Sequence, residues 1–246
     1  MRYKHKTVIG KRPTNEDSHY LPTKKERVYH FGVFDGHGGG DVSKFVASRL
    51  IRVLKEDPTS MNRVKHYTDA FRKINDVLKR SKPRWSKQGS TAVVCAIRDR
   101  RLVVANTGDS RGVLCRSGLA IPLSKDHKPD SFEEAKRIEA LGGKVVERHD
   151  TARIEGLSVS RAFGDFDCSP YVICDPDVVK MTLRKSDQFI ILACDGLWDV
   201  VNNQAAVDEV MRGALGTAPA RLIDMAIRMG TTDNVSVVVI WDFEVA

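Results

Sequence analysis

The sequence predicts an α+β fold in which helices cover antiparallel sheets, and three observations carry that prediction. The stretch "VVCAIRDRRLVVANTGDSRGVLCRSGLAIPL" holds β-branched runs separated by charged or glycine-containing turns, so neighbouring strands there pair antiparallel. Two amphipathic stretches, residues 42–54 and 61–78, follow each other with no strand between them. Strands and helices come in blocks, which favours layered α+β packing over a regular strand–helix alternation.

In chain order, the strand candidates are "VYHFGVF", "TAVVCAI", "RLVVANT", "RGVLCRS", "DVVKMTL", "QFIILAC" and "VSVVVIW", each short and rich in β-branched or apolar residues. The first helix is expected where Val42, Phe45, Val46, Leu50, Val53 and Leu54 recur at helical spacing, with Asp41 as its cap. Met61, Val64, Tyr67, Phe71, Ile74 and Leu78 mark the second. A third opens at "SFEEAKRIEALGG", where Ser131 and Glu134 have capping-box spacing and Gly142 supplies the stop. A last pair, "NQAAVDEVMRGAL" and "PARLIDMAIRMG", precedes the final strand.

With 246 residues, of which 41% are hydrophobic, the chain can bury a sizeable core. No fixed-period repeat and no Pro/Gly/Ser-rich linker divides it, so a single domain over residues 1–246 is expected. Its longest apolar runs fall far short of the roughly 20 residues that span a bilayer, and its start lacks the apolar stretch of a signal peptide. No membrane association is expected, and an intracellular protein, cytoplasmic or nuclear, is. Five scattered cysteines without C-x-x-C spacing argue against a disulfide framework and a zinc site. The net charge of +8 is spread along the chain. The clusters "PTKKER" and "KRSKPRW" read as solvated surface, and no nucleic-acid partner is expected.

Acidic residues fall where a core would not want them. Asp35 follows "FGVF", Asp195 follows "FIILAC" with Asp199 close behind, Asp233 stands just ahead of "VSVVVI", and Glu16 and Asp17 sit in "RPTNEDSH". A carboxylate at the end of an apolar strand must be paired, solvated or bound to a cation, because burying the bare charge costs several kcal/mol. Antiparallel strands can bring Asp35, Asp195 and Asp233 to one rim, and hard oxygen donors without cysteine suit Mg2+ or Mn2+. Each "DG" taken alone is an ordinary turn. The set is what points to chemistry.

In order, "RPTNED", "FGVFDGHGG", "GSTAVV", "VANTGDSRGVL", "LSKDHKP", "RIEALGG", "LSVSRAFGD", "ILACDGLWDVV" and "TDNVSVVVI" resemble the motifs of the metal-dependent serine/threonine protein phosphatases of the protein phosphatase 2C type. The resemblance runs from about Arg12 to the end of the chain. It implies a central sandwich of two antiparallel sheets with a pair of helices on each outer side. It implies two Mg2+ or Mn2+ ions, with Asp35 bridging both, the Gly36 carbonyl on one, and Asp195 and Asp233 holding the other. Glu16 and Asp17 match the acidic pair that orients metal-bound waters, Arg12 the arginine that grips the phosphoryl group, and His37 the proposed general acid. A third ion in some members would map to Asp109, Asp195 and Asp199. Arg111, Arg161 and Asp165 are read instead as ion pairs or caps that fix loops. The implied reaction is hydrolysis of phosphoserine and phosphothreonine in protein substrates by a metal-bridging water or hydroxide, performed by a monomer. The alternative is a catalytically silent member serving as a regulatory binding module. The sequence departs from the family at Cys168, near which relatives commonly carry a lysine.

Overall fold

The computed structural model of the chain describes residues 1–23, 26–81 and 85–243. Residues 24–25 and 82–84, parts of the two basic clusters read as surface, and 244–246 lie outside the described residues.

All the predicted strand runs form strands: Tyr29–Phe34, Ala92–Arg98, Arg101–Thr107, Arg111–Arg116, Asp177–Thr182, Asp187–Ala193 and Val235–Trp241. They fall into two five-stranded sheets. One has the order Arg2–Val8, Val235–Trp241, Asp187–Ala193, Arg111–Arg116, Leu119–Pro122, and the other Asp177–Thr182, Arg101–Thr107, Ala92–Arg98, Tyr29–Phe34, Ser18–Tyr20. Every pairing within them is antiparallel.

Successive side chains of a strand point to opposite faces, and here both faces are covered. Phe31, Val33, Val93 and Cys95 of one sheet meet Leu114, Ile190, Leu192, Val238 and Ile240 of the other in a core between the sheets. The alternate residues Val94, Ala96, Val103 and Ala105 pack against Val46, Leu50, Phe71 and Ile74 on the helices Asp41–Glu56 and Val64–Ser81. On the far side Val113, Ile191, Val237 and Val239 pack against Val207, Val210, Leu222 and Ile223 on the helices Asn203–Met211 and Ala218–Arg228. The layers therefore run helix, sheet, sheet, helix. Burial on both faces explains why "VSVVVIW" is apolar at every position but Ser236 instead of alternating: every one of its residues is buried. Each such side chain contributes about 1.5–3 kcal/mol relative to exposure.

Three local expectations are corrected. The strand Arg2–Val8 was not expected, because its sequence RYKHKTV is mostly exposed and carries no apolar run. It lies at a sheet edge, where charged residues block further pairing. Asp41 is the first residue of its helix and not its cap. That place belongs to Gly40, and Asp41 Oδ2 accepts a hydrogen bond from Trp85 Nε1 at 3.1 Å. The capping box at Ser131 does not form: Ser131 Oγ donates to the Lys128 carbonyl at 2.9 Å, and Glu134 turns to arginines. The stop at Gly142 does occur, with φ of +83° and its N–H donating to Glu139 O at 2.9 Å.

Glu134, nearly fully buried, accepts from Arg161 Nη2 at 2.6 Å, Arg137 Nη2 at 3.0 Å and Ser160 Oγ at 2.7 Å. Burial would raise its pKa, but Arg161, Ser160 and Arg137 outweigh burial and hold it down at about 2. Glu134→Gln should therefore destabilise the fold by about 3 kcal/mol at neutral pH, since one partner of a buried pair is removed. A depressed carboxylate gives stability above its unfolded value of 4.5 and loses it as pH falls toward about 2, so urea denaturation of native and variant should converge in that window.

Candidate functional site

The topology delivers three strand ends to one rim. Tyr29–Phe34 runs into Asp35, Asp187–Ala193 runs through Cys194 into Asp195, and Val235–Trp241 begins directly after Asp233 and Asn234. Ala193 lies opposite Val237 in the ladder, and Cys194 N donates to Ser236 O at 3.2 Å, which holds Asp195 beside the start of the last strand. Asp35 is fixed on both sides of its peptide: its N–H donates to Thr91 Oγ1 at 3.1 Å and its carbonyl accepts from Thr91 N at 2.9 Å. The loop carrying Arg12, Glu16 and Asp17 is fastened by Asn234, which accepts from Glu16 N at 2.9 Å and donates to the carbonyls of Ile9 and Thr14 at 2.8 and 2.9 Å.

These residues line one cleft of about 270 Å³, with Arg12, Glu16, Asp35, Gly36, His37, Asp109, Asp195 and Asp233 all on its wall. Carboxylate oxygens of Asp35, Asp109 and Asp195 lie within 4.8 Å of one another, and Asp35 also groups with Asp17 and Cys194 within the same span. Burial first, then the charges of Asp195, Asp17 and Asp109, push the pKa of Asp35 well above the usual carboxylate range. Burial and Asp109 lead the causes that push Asp195 up to about 8, and burial lifts Asp17 to about 6. Asp17 Oδ1 is buried without a hydrogen-bond partner.

This donor set fits hard divalent cations. It offers oxygens that repel one another and an orphaned carboxylate oxygen, both of which a cation relieves. Cys194 is not such a donor: burial raises its thiol pKa far above normal, and its single S–H has Asp17 Oδ2 and Asn234 O as acceptors, each 3.4 Å from Sγ. Glu16 stands at the rim, accepting from Gly39 N at 3.1 Å and Thr14 Oγ1 at 3.3 Å.

Arg12 and Asp233, which the sequence reading gives separate tasks, touch each other: Arg12 Nη2 lies 2.5 Å from Asp233 Oδ2. The Arg12 side chain is 56% exposed, and an ion pair so open to solvent contributes about 0–1 kcal/mol, so either partner is readily released. Asp109, almost fully buried, is paired with the Lys128 ammonium, and Asp199 Oδ1 lies 3.9 Å from the same nitrogen. Burial opposes the charge of Lys128, but Asp109, Asp199 and Asp195 outweigh it and keep the ammonium protonated.

His37 Nε2 lies 2.7 Å from Asp165 Oδ2. Burial works to lower the imidazole pKa, yet the hydrogen bond and charge of Asp165 overcome it, and the pKa is raised. Asp165 thus faces the cleft histidine and not a loop partner, which corrects the loop-fixing reading of this residue. Its φ of 47° is left-handed, a conformation that only a short polar side chain or glycine adopts readily. Gly89 makes the pair possible, since a Cβ there would collide with both Asp165 Oδ2 and His37 Nε2. For Arg111 and Arg161 the loop-fixing reading agrees with the contacts, Arg111 pairing with Asp126 and Arg161 with Glu134. Sequence reasoning missed the positioning residues Asn234, Thr91, Lys128 and Asp165. The available signals were the "DN", "GST", "DHKP" and "FGD" fragments, none of which states its partner.

The family model described as Protein phosphatase 2C matches residues 1–235. "Probable protein phosphatase 2C 8" of Oryza sativa subsp. japonica is 37% identical over 258 residues, an alignment covering 88% of this chain and 63% of that protein. "Probable protein phosphatase 2C 45" of the same organism is 39% identical over 248 residues, covering 97% of this chain and 86% of that one. The solved serine-threonine phosphatase 2C from Toxoplasma gondii superposes with a TM-score of 0.84 at 25% identity, covering 97% of this chain and 94% of that structure.

Proposed function

The chain belongs to the protein phosphatase 2C family and is a metal-dependent protein serine/threonine phosphatase, and on that premise we propose how its residues divide the work. Asp35, Asp195 and Asp233, with the Gly36 carbonyl, would hold two divalent ions, and Glu16 and Asp17 would orient the waters around them. The ions are Mg2+ or Mn2+, because hard oxygen donors suit both. When bound, such ions neutralise phosphoryl charge and supply a water-derived nucleophile at neutral pH.

One observation carries this reading. A cleft walled by Glu16, Asp35, Asp109, Asp195 and Asp233 repels a phosphate dianion unless cations invert its potential. Arg12, released from Asp233, grips phosphoryl oxygens through its planar fork. His37, held at Nε2 by Asp165, which favours its protonated form, gives the proton on its other ring nitrogen, Nδ1, to the departing seryl or threonyl oxygen. A silent binding module has no use for a cleft that keeps Glu16, Asp35, Asp195 and Asp233 together on its wall.

The substrates are phosphorylated proteins. Among the described residues no helix is long and apolar enough to cross a membrane. We place the protein in the cytoplasm or nucleus, a reading supported by cysteines that are all free. The layers cover one another's apolar faces, which supports a monomer. The experiment is phosphate release from phosphoserine and phosphothreonine peptides with Mn2+, with Mg2+ and with chelator. Turnover with either metal and none with chelator is the expected result; metal-independent turnover, or none at all, would count against the proposal.

A further inference from the structure

Of the trio that the family resemblance assigns to a third ion, Asp109, Asp195 and Asp199, two members already face a cation. Lys128 Nζ is paired with Asp109 and stands 3.9 Å from Asp199 Oδ1. This lysine is built in. The loop that carries it is hydrogen bonded to the turn that carries Asp109, with Gly108 N donating to His127 Nδ1 and His127 N to Gly108 O, both at 3.1 Å. Ser131 clamps the Lys128 carbonyl from the other side through N at 3.1 Å and Oγ at 2.9 Å. Two strands' ends and a loop are thereby fixed so that an ammonium reaches a nearly fully buried carboxylate.

A divalent cation placed on this trio needs the Asp109 carboxylate, whose Oδ2 is held by the Lys128 ammonium. Asp109 also shares its span with Asp35 and Asp195, so whichever charge pairs with it bears on the main site. We propose that the Lys128 ammonium is the resident cation of the trio, and that a third divalent ion enters only by displacing it from Asp109. A monovalent charge on a tether competes at a high and fixed local concentration, so it keeps the third position weak without blocking it. This inference rests on the reading of Asp35, Asp195 and Asp233 as metal ligands.

The test is equilibrium binding of Mn2+, with free ion followed by its paramagnetic resonance, on the native chain and on Lys128→Gln, Lys128→Met and Lys128→Arg. The native chain should bind two ions tightly and a third weakly. Lys128→Gln and Lys128→Met should bind the third ion at least about tenfold tighter, the result of removing a like charge from its site. Lys128→Arg, which keeps the charge, should show no gain, and adding Asp109→Asn to Lys128→Gln should abolish it. Gln keeps a hydrogen-bond donor for Asp109, so it serves if the Met variant fails to fold. The rise of melting temperature with Mn2+ reads the same linkage independently. A third-ion affinity unchanged or weakened in Lys128→Gln, or a gain that survives Asp109→Asn, overturns the inference while the two tight ions leave the main reading standing. A native chain that binds no Mn2+ overturns both.

Discussion

Asp35→Asn and Asp195→Asn should each lower phosphatase turnover by about two orders of magnitude or more, since each removes a ligand oxygen from the site, and each should raise the melting temperature of the metal-free protein. The second half separates a ligand from a structural carboxylate. Asp195 moves from 3.8 to about 8, driven by burial and then by Asp109, so the folded chain holds a proton that the unfolded chain releases. A raised pKa gives stability that is complete below the unfolded value and is lost as pH rises through the folded one. Between about pH 4 and pH 8 the metal-free native chain should therefore lose stability that an uncharged Asn does not lose. Each kcal/mol recovered is worth about 3 °C in a chain of this size. Calorimetry with chelator checks it: a melting temperature lowered by Asp195→Asn, as Glu134→Gln should lower it, would mark Asp195 as structural.

His37→Gln should reduce turnover of a phosphoserine peptide by about 100-fold, the scale of a lost general acid, and turnover of nitrophenyl phosphate far less. The seryl oxygen leaves as a strong base and needs a proton, whereas nitrophenolate leaves without one. Asp165→Asn should shift the same comparison in the same direction by a smaller factor, because Asp165 acts through the ring and not on the substrate. Equal losses on both esters would remove His37 from proton transfer and leave the pair a packing feature.

The layers were legible because burial on two faces leaves continuous apolar runs such as "FIILAC" and "VVVIW" in the sequence. The edge strand Arg2–Val8 was not, since a strand covered on one side and solvated along its edge carries no such signature. The carboxylates Asp35, Asp195 and Asp233 could be picked out by their place at strand ends. Which side chain each site residue pairs with could not, because those contacts join distant parts of the chain: Arg12 to Asp233 across 221 residues, and His37 to Asp165 across 128. Glu134 shows the same limit from the other side. Its spacing from Ser131 fits a local cap, but the distant Ser160 and Arg161, with Arg137 one turn along its own helix, take the carboxylate instead.

Anomalous diffraction from crystals grown with Mn2+ bears most directly on the account. Density peaks are expected in the cleft bounded by the oxygens of Asp35, Asp195 and Asp233, with Arg12 swung away from Asp233. A cleft without such peaks at saturating Mn2+, its carboxylates joined only to arginine, lysine and one another, would contradict it.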